Sequence, residues 1–246
     1  MSARTEIVGA LIARALRSGE SARSVGIDLT GSERRPSGWA LLDGRNASSA
    51  RIATDAELVA TTLAAEPGIV SIDSPLSLPG GTRTLEEWRR AELPIYRACE
   101  LALKRIGISV FWCLLPSMQS LTLRGMRLAA ELRARGLRVI ESYPGGAQDV
   151  LGIPRKRKSL EELKRGLHRV GLSGPFLDAR VSHDEVDAIT SALVGLCYLA
   201  DDCVALGNVE EGYLILPRTP RIDDVKLAEI AARTGIDALP DPDSRS

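Results

Sequence analysis

The chain has almost no histidine: His168 and His183 are the only two in 246 residues. That scarcity argues against a His-rich zinc centre and against a Ser-His-Asp triad. Its four cysteines, Cys99, Cys113, Cys197 and Cys203, form no CxxC pair and sit in apolar segments, which fits reduced core thiols. Long apolar runs are also missing. No stretch reaches the roughly 18 residues a membrane helix needs, and the N-terminus lacks the apolar region of a signal peptide. The expectation is a soluble, unexported, cytoplasmic protein. Aromatic residues make up 4% of the chain and never alternate with basic ones, which argues against base stacking as the dominant mode of binding. Net charge is absent too, with 32 Lys plus Arg against 32 Asp plus Glu. Any affinity for nucleic acid or membrane must therefore rest on local patches.

What is present is a core: 44% of residues are hydrophobic, and no repeat or long linker divides the chain. One domain over 1–246 is expected, with its centre at about 23–217, an N-terminal helix over 5–17, a C-terminal helix over 223–234 and a frayed tail. Val25 to Leu29 reads as a buried strand, Thr30 to Ser37 as a charged loop, and Trp39 to Leu42 as a second strand. Ala50 to Ala53 offers a third. Thr54-Asp55-Ala56-Glu57 is a capping box that opens a helix, and Ile69 to Asp73 is another strand. Ser74 to Gly81 reads as a loop. Helices follow from Thr84, through Arg97 to Gly107, and over 118–135, before the strand Leu137 to Glu141 and a loop over 142–146. Ser159 caps a helix to Gly171, Ser182 caps one to about Cys203, and Gly212 to Leu216 adds a late strand. Short loops imply antiparallel neighbours first, and helical crossovers imply parallel ones later. The fold class is α/β: a mixed sheet, three antiparallel strands and then parallel crossovers, with helices on both faces.

Three acids, Asp28, Asp73 and Glu141, fall at or near the C-terminal ends of these strands, where sites form in such sheets. Asp28 is a carboxylate inside a buried strand, so it needs a hydrogen-bond partner or a cation. Asp184 and Asp187 lie three apart on one face of the last long helix. Acids in a first helical turn are ordinary, which accounts for Asp184 and Glu185 but less well for Asp187. Small residues at Ala188, Ser191, Ala192 and Gly195 continue that face and let the helix press against the sheet, carrying Asp187 toward the strand ends. Carboxylates sharing one pocket need a cation, and oxygen-only donors suit Mg²⁺ or Mn²⁺. Such acids serve either two-metal phosphodiester hydrolysis or one Mg²⁺ beneath a nucleotide.

The segments GIDLTGSERRPSGWALL, SIDSPLSLP, RACELALKRIGISVF, VIESYPGG and SHDEVDAITSAL together resemble the family of unknown-function domains numbered 429, predicted nucleases of RNase H-like fold. The resemblance runs from about Val25 to Pro217. It implies an RNase H-like sheet and a Mg²⁺- or Mn²⁺-dependent nuclease acting on nucleic acid. The first-strand acid falls at Asp28, the acid of the following parallel strand at Asp73, and the helix acids at Asp184 and Asp187. Resolvases of this fold usually carry Glu where Asp73 stands. Glu141 has no firm counterpart and is either a ligand peculiar to this family or the partner of Arg97 or Lys158. In this reading Asp28 bridges two metals, Asp73 and Asp187 bind one each, and Asp184 or Glu141 completes a shell.

Candidate phosphate contacts are Arg97 and the cationic run holding Arg155, Lys156 and Lys158. Local patches on a neutral chain suit a structured or small nucleic acid. Two rivals remain open at this point. Asp28-Leu29-Thr30-Gly31-Ser32 also matches the phosphate hairpin of actin and sugar kinases, although those need two such domains. A non-catalytic nucleic-acid-binding scaffold is the other.

Overall fold

The computed structural model describes residues 7–155, 159–178, 180–220 and 222. The chain enters through α1 (Ile7–Arg17) and forms a meander of β1 (Arg23–Asp28), β2 (Ser37–Asp43) and β3 (Asn46–Ile52), each antiparallel to the next. The third strand starts four residues earlier than the sequence suggests, because a two-residue turn with Gly44 at φ 58° folds β3 directly back on β2. Thr54 and Glu57 form the expected capping box of α2 (Asp55–Ala64), which returns the chain to β4 (Ile69–Asp73), parallel to β1. Then come α3 (Leu85–Arg90), α4 (Ala98–Arg105), α5 (Pro116–Ala134) and β5 (Val139–Ser142), parallel to β4. After α6 (Pro144–Leu151), α7 (Leu160–Arg169) and α8 (His183–Leu199), a hairpin of β6 (Cys203–Asn208) and β7 (Gly212–Pro217) completes the sheet. The strand order is β3-β2-β1-β4-β5-β7-β6. This is an α/β protein with a seven-stranded mixed sheet, consistent with an RNase H-like layout.

Two expectations fail locally. The last long helix stops at Leu199 rather than Cys203, because Asp201 adopts φ 50° and breaks the helical path. Cys203 instead opens β6, a strand that the sequence reading lacks. Pro144, expected in a loop, occupies the first turn of α6, where its missing N–H costs nothing. The C-terminal helix expected over 223–234 lies outside the described residues.

Strand alternation sorts the interior into two layers. Val25, Ile27, Val70 and Ile72 point toward Leu58 of α2 and Leu128 and Leu132 of α5. Ser24, Gly26 and Asp28 point the other way, toward α8. That helix is buried at every residue from Glu185 to Cys197. It lies unusually close to the sheet: a Cβ at Gly26 would sit 1.9 Å from the Ala188 carbonyl oxygen, and one at Gly38 2.1 Å from that of Asp184. The Ser24 hydroxyl donates to the Ala192 carbonyl at 2.6 Å. The small-residue stripe therefore meets the glycines backbone to backbone. Ser182 and Glu185 cap the helix reciprocally, and Ser49 of β3 donates to Glu185 at 3.1 Å, fixing that end of α8 over the meander.

Candidate metal centre

Asp28 and Asp73 end neighbouring parallel strands and are direct register partners. Equal parity sends both side chains to the α8 face. Asp187 lies in the second turn of α8, next to the Ala188 that rests on Gly26. The result is that one carboxylate oxygen from each of Asp28, Asp73 and Asp187 lies within 4.8 Å of the other two. Asp187 is buried, at 5% exposure, whereas Asp28 and Asp73 reach the rim of the sheet. At that separation, two ionised carboxylates repel by roughly 3–4 kcal/mol for an effective dielectric constant of about 20. The donor set is all oxygen, which suits a hard divalent cation.

The surrounding residues orient the acids. Gln148 of α6 donates through Nε2 to Asp187 Oδ1 at 2.8 Å and to Thr190 Oγ1 at 3.3 Å. At the third parallel strand the register partner of Asp73 is Ser142, whose hydroxyl donates to Ser191 of α8 at 3.2 Å. No family model matches the chain. No curated protein matches it either.

Glu141 does not join the group. It pairs in register with Ile72, so its parity turns it to the α2–α5 face of the sheet. There Arg97 donates to both of its oxygens, at 2.7 and 2.8 Å, and the backbone N–H of Leu76 donates at 2.8 Å. Of the alternatives open for Glu141, pairing with Arg97 is the one found. The same geometry removes Arg97 from the phosphate contacts. It is 2% exposed, and it also holds Glu100 at 3.1 Å and the Ser77 hydroxyl at 3.1 Å. Glu100 in turn accepts from the Cys113 N–H at 2.8 Å. This buried network braces the loop that leaves Asp73. Asp184 is half-buried, one turn before Asp187, with its backbone pressed on Gly38, and it stands outside the three-acid group.

Arg155 is held by Asp149, with Nε donating at 3.0 Å, and by the Tyr143 hydroxyl at 3.1 Å. The Tyr143 hydroxyl in turn donates to the Ser109 carbonyl at 2.8 Å. Burial pushes the Tyr143 phenol above its ordinary range, Arg155 pulls against it, and the charge of Asp73 adds to the rise. Gly145 and Gly146 make room for this ring: a Cβ on Gly146 would lie 2.8 Å from it. Lys156 and Lys158 lie outside the described residues.

Arg124 escaped the sequence reading. It is 2% exposed on α5 and donates to the Thr30 carbonyl at 2.6 Å and to Asp55 at 2.7 and 2.9 Å, pinning the loop that leaves Asp28. Its signal was a charge set among Leu121, Gly125 and Leu128 on the apolar stripe of that helix. A separate cavity of about 640 Å³ opens where β5 and β7 part, lined by Arg133, Val139, Glu141, Tyr198 and Tyr213 among others, and none of the three acids lines it.

Proposed function

We propose that the chain is a Mg²⁺- or Mn²⁺-dependent nuclease that hydrolyses phosphodiester bonds of nucleic acid at Asp28, Asp73 and Asp187. The observation that carries this reading is the meeting of three carboxylate oxygens, from residues far apart in the chain, within 4.8 Å of one another. Asp28, Asp73 and Asp187 would hold the divalent cations. When bound, such ions supply Lewis acidity and a more acidic water. The chain's own contribution is placement. The register fixes Asp28 beside Asp73, the glycine contacts fix the height of α8, and Gln148 fixes the carboxylate plane of Asp187. The Arg97–Glu141 brace and Arg124 hold the two loops beyond the strand ends, where a polymer would lie. The resemblance to the family numbered 429 points the same way. The four cysteines are buried free thiols, which favours a reducing cytosolic setting. No helix among the described residues is long and apolar enough to cross a membrane.

The test is a cleavage screen over branched, duplex, hybrid and single-stranded DNA and RNA with Mg²⁺ or Mn²⁺. Wild type should cut at least one class, and Asp28→Asn and Asp187→Asn should lose that activity while keeping their fold. Equal cutting by all three proteins would remove the assignment.

A further inference from the structure

The nine aromatic residues are scattered in sequence, yet folding brings Tyr96 and Trp112 into contact. The ring of Tyr96 tilts against Trp112 with centroids 5.3 Å apart, and Lys104 places its ammonium 3.9 Å over the Tyr96 ring. Phe111, next in the chain to Trp112, is left 60% exposed. Two residues before Phe111, the Ser109 carbonyl receives the hydroxyl of Tyr143. Tyr143 follows Ser142, the register partner of Asp73. The loop that carries Phe111 is thus tied through Tyr143 to the strand beside Asp73. Lys104 and Arg105 close α4.

We propose that Phe111, with Trp112 and Tyr96 behind it, is a stacking platform for unpaired bases of single-stranded nucleic acid. As a substrate-binding surface, it rests on the nuclease reading above. Flat rings bind any base through its π-face, and a lysine beside them meets the backbone phosphate. An apolar protein partner laid on Phe111 would strip water from Lys104 and offer it no countercharge. A polyanion with flat bases satisfies both groups. The linear sequence hides this surface, because no short window alternates basic and aromatic residues; the fold sets the Tyr96–Lys104 segment against Trp112, the neighbour of Phe111.

The test is a fluorescence-anisotropy titration of the full chain in chelator, so that the acid cluster holds no metal. The probes are a labelled oligothymidylate of about ten nucleotides, an abasic strand of the same length and a blunt duplex. The oligothymidylate should bind more tightly than the other two. Phe111→Ala should weaken it about 5- to 100-fold, the range expected for losing one base–aromatic stack, and Phe111→Trp should restore it. Because Phe111 is exposed, the substitution leaves the core intact. No measurable binding, equal binding of the abasic strand, or a Phe111→Ala curve that overlays wild type would each overturn the platform. Stacking without cleavage of any nucleic acid would keep the platform and remove the nuclease. Asp28-dependent cleavage with no effect of Phe111 would do the reverse.

Discussion

Replacing Gly26 by Ala probes the contact on which the acid cluster depends. The added methyl would start 1.9 Å from the Ala188 carbonyl oxygen and 2.4 Å from the Ala192 nitrogen, both backbone atoms that no rotamer change can move. Ordinary carbon–oxygen contacts lie near 3.3 Å, so α8 must withdraw by roughly 1.4 Å at this point. Overpacking of this kind costs about 1–3 kcal/mol. Stretching the Ser24–Ala192 hydrogen bond removes about 1 kcal/mol more. For a domain of this size the sum lowers Tm by roughly 5–15 °C. Asp187 adjoins Ala188, so the withdrawal also draws its carboxylate away from Asp28 and Asp73 and should weaken the proposed divalent-cation binding. Gly31→Ala is the control, since its nearest neighbour would lie at 3.7 Å. Thermal unfolding with and without Mn²⁺ reads both effects. If Gly26→Ala melts within about 1 °C of wild type and keeps its cation affinity, the close-packed account of α8 is wrong.

Arg97→Met should cost about 3–5 kcal/mol in urea unfolding, because it leaves two buried carboxylates, Glu141 and Glu100, without their cation. Glu141→Gln should likewise lower stability but leave divalent-cation affinity unchanged; loss of affinity with stability retained would make Glu141 a ligand. Burial pushes the Cys113 thiol from its ordinary value of 9.0 up to about 12, and it raises Cys99 and Cys197 as well. Native protein should therefore resist a thiol-specific disulfide reagent at pH 8 and react only on unfolding. The folded state holds these protons longer than the unfolded chain, so this contribution to stability is whole below pH 9 and declines as pH rises from 9.0 toward 12. Rapid labelling of native protein at pH 8 would contradict it.

The elements legible in the sequence were those whose cues are local. Asp28 and Asp73 stood out as acids closing apolar strands. The Ser182–Glu185 box marked the start of α8, and its stripe of small residues signalled close packing on the sheet. Quantities that depend on partners far along the chain were harder to see. Glu141 and Ser142 are adjacent, and only the strand pairing decides that Ser142, not Glu141, shares a face with Asp73. Gln148 was hidden because Pro144-Gly145-Gly146 reads as a loop, whereas proline opens a helix there and the glycines accommodate Tyr143. Arg97 was open to two readings, phosphate contact or partner of Glu141, and only the fold, which brings Glu141 to it from 44 residues away, decides between them. The β6 strand was lost in the apolar continuation of α8, which ends only through the backbone conformation of Asp201.

Direct titration of metal-free protein with Mn²⁺, followed by calorimetry, tests the central claim. Wild type should bind, and Asp28→Asn, Asp73→Asn and Asp187→Asn should each weaken binding by at least about tenfold, since every ligand removed costs no less than a supporting residue does. Absent binding in wild type, or affinities unchanged across all three variants, would contradict the metal centre.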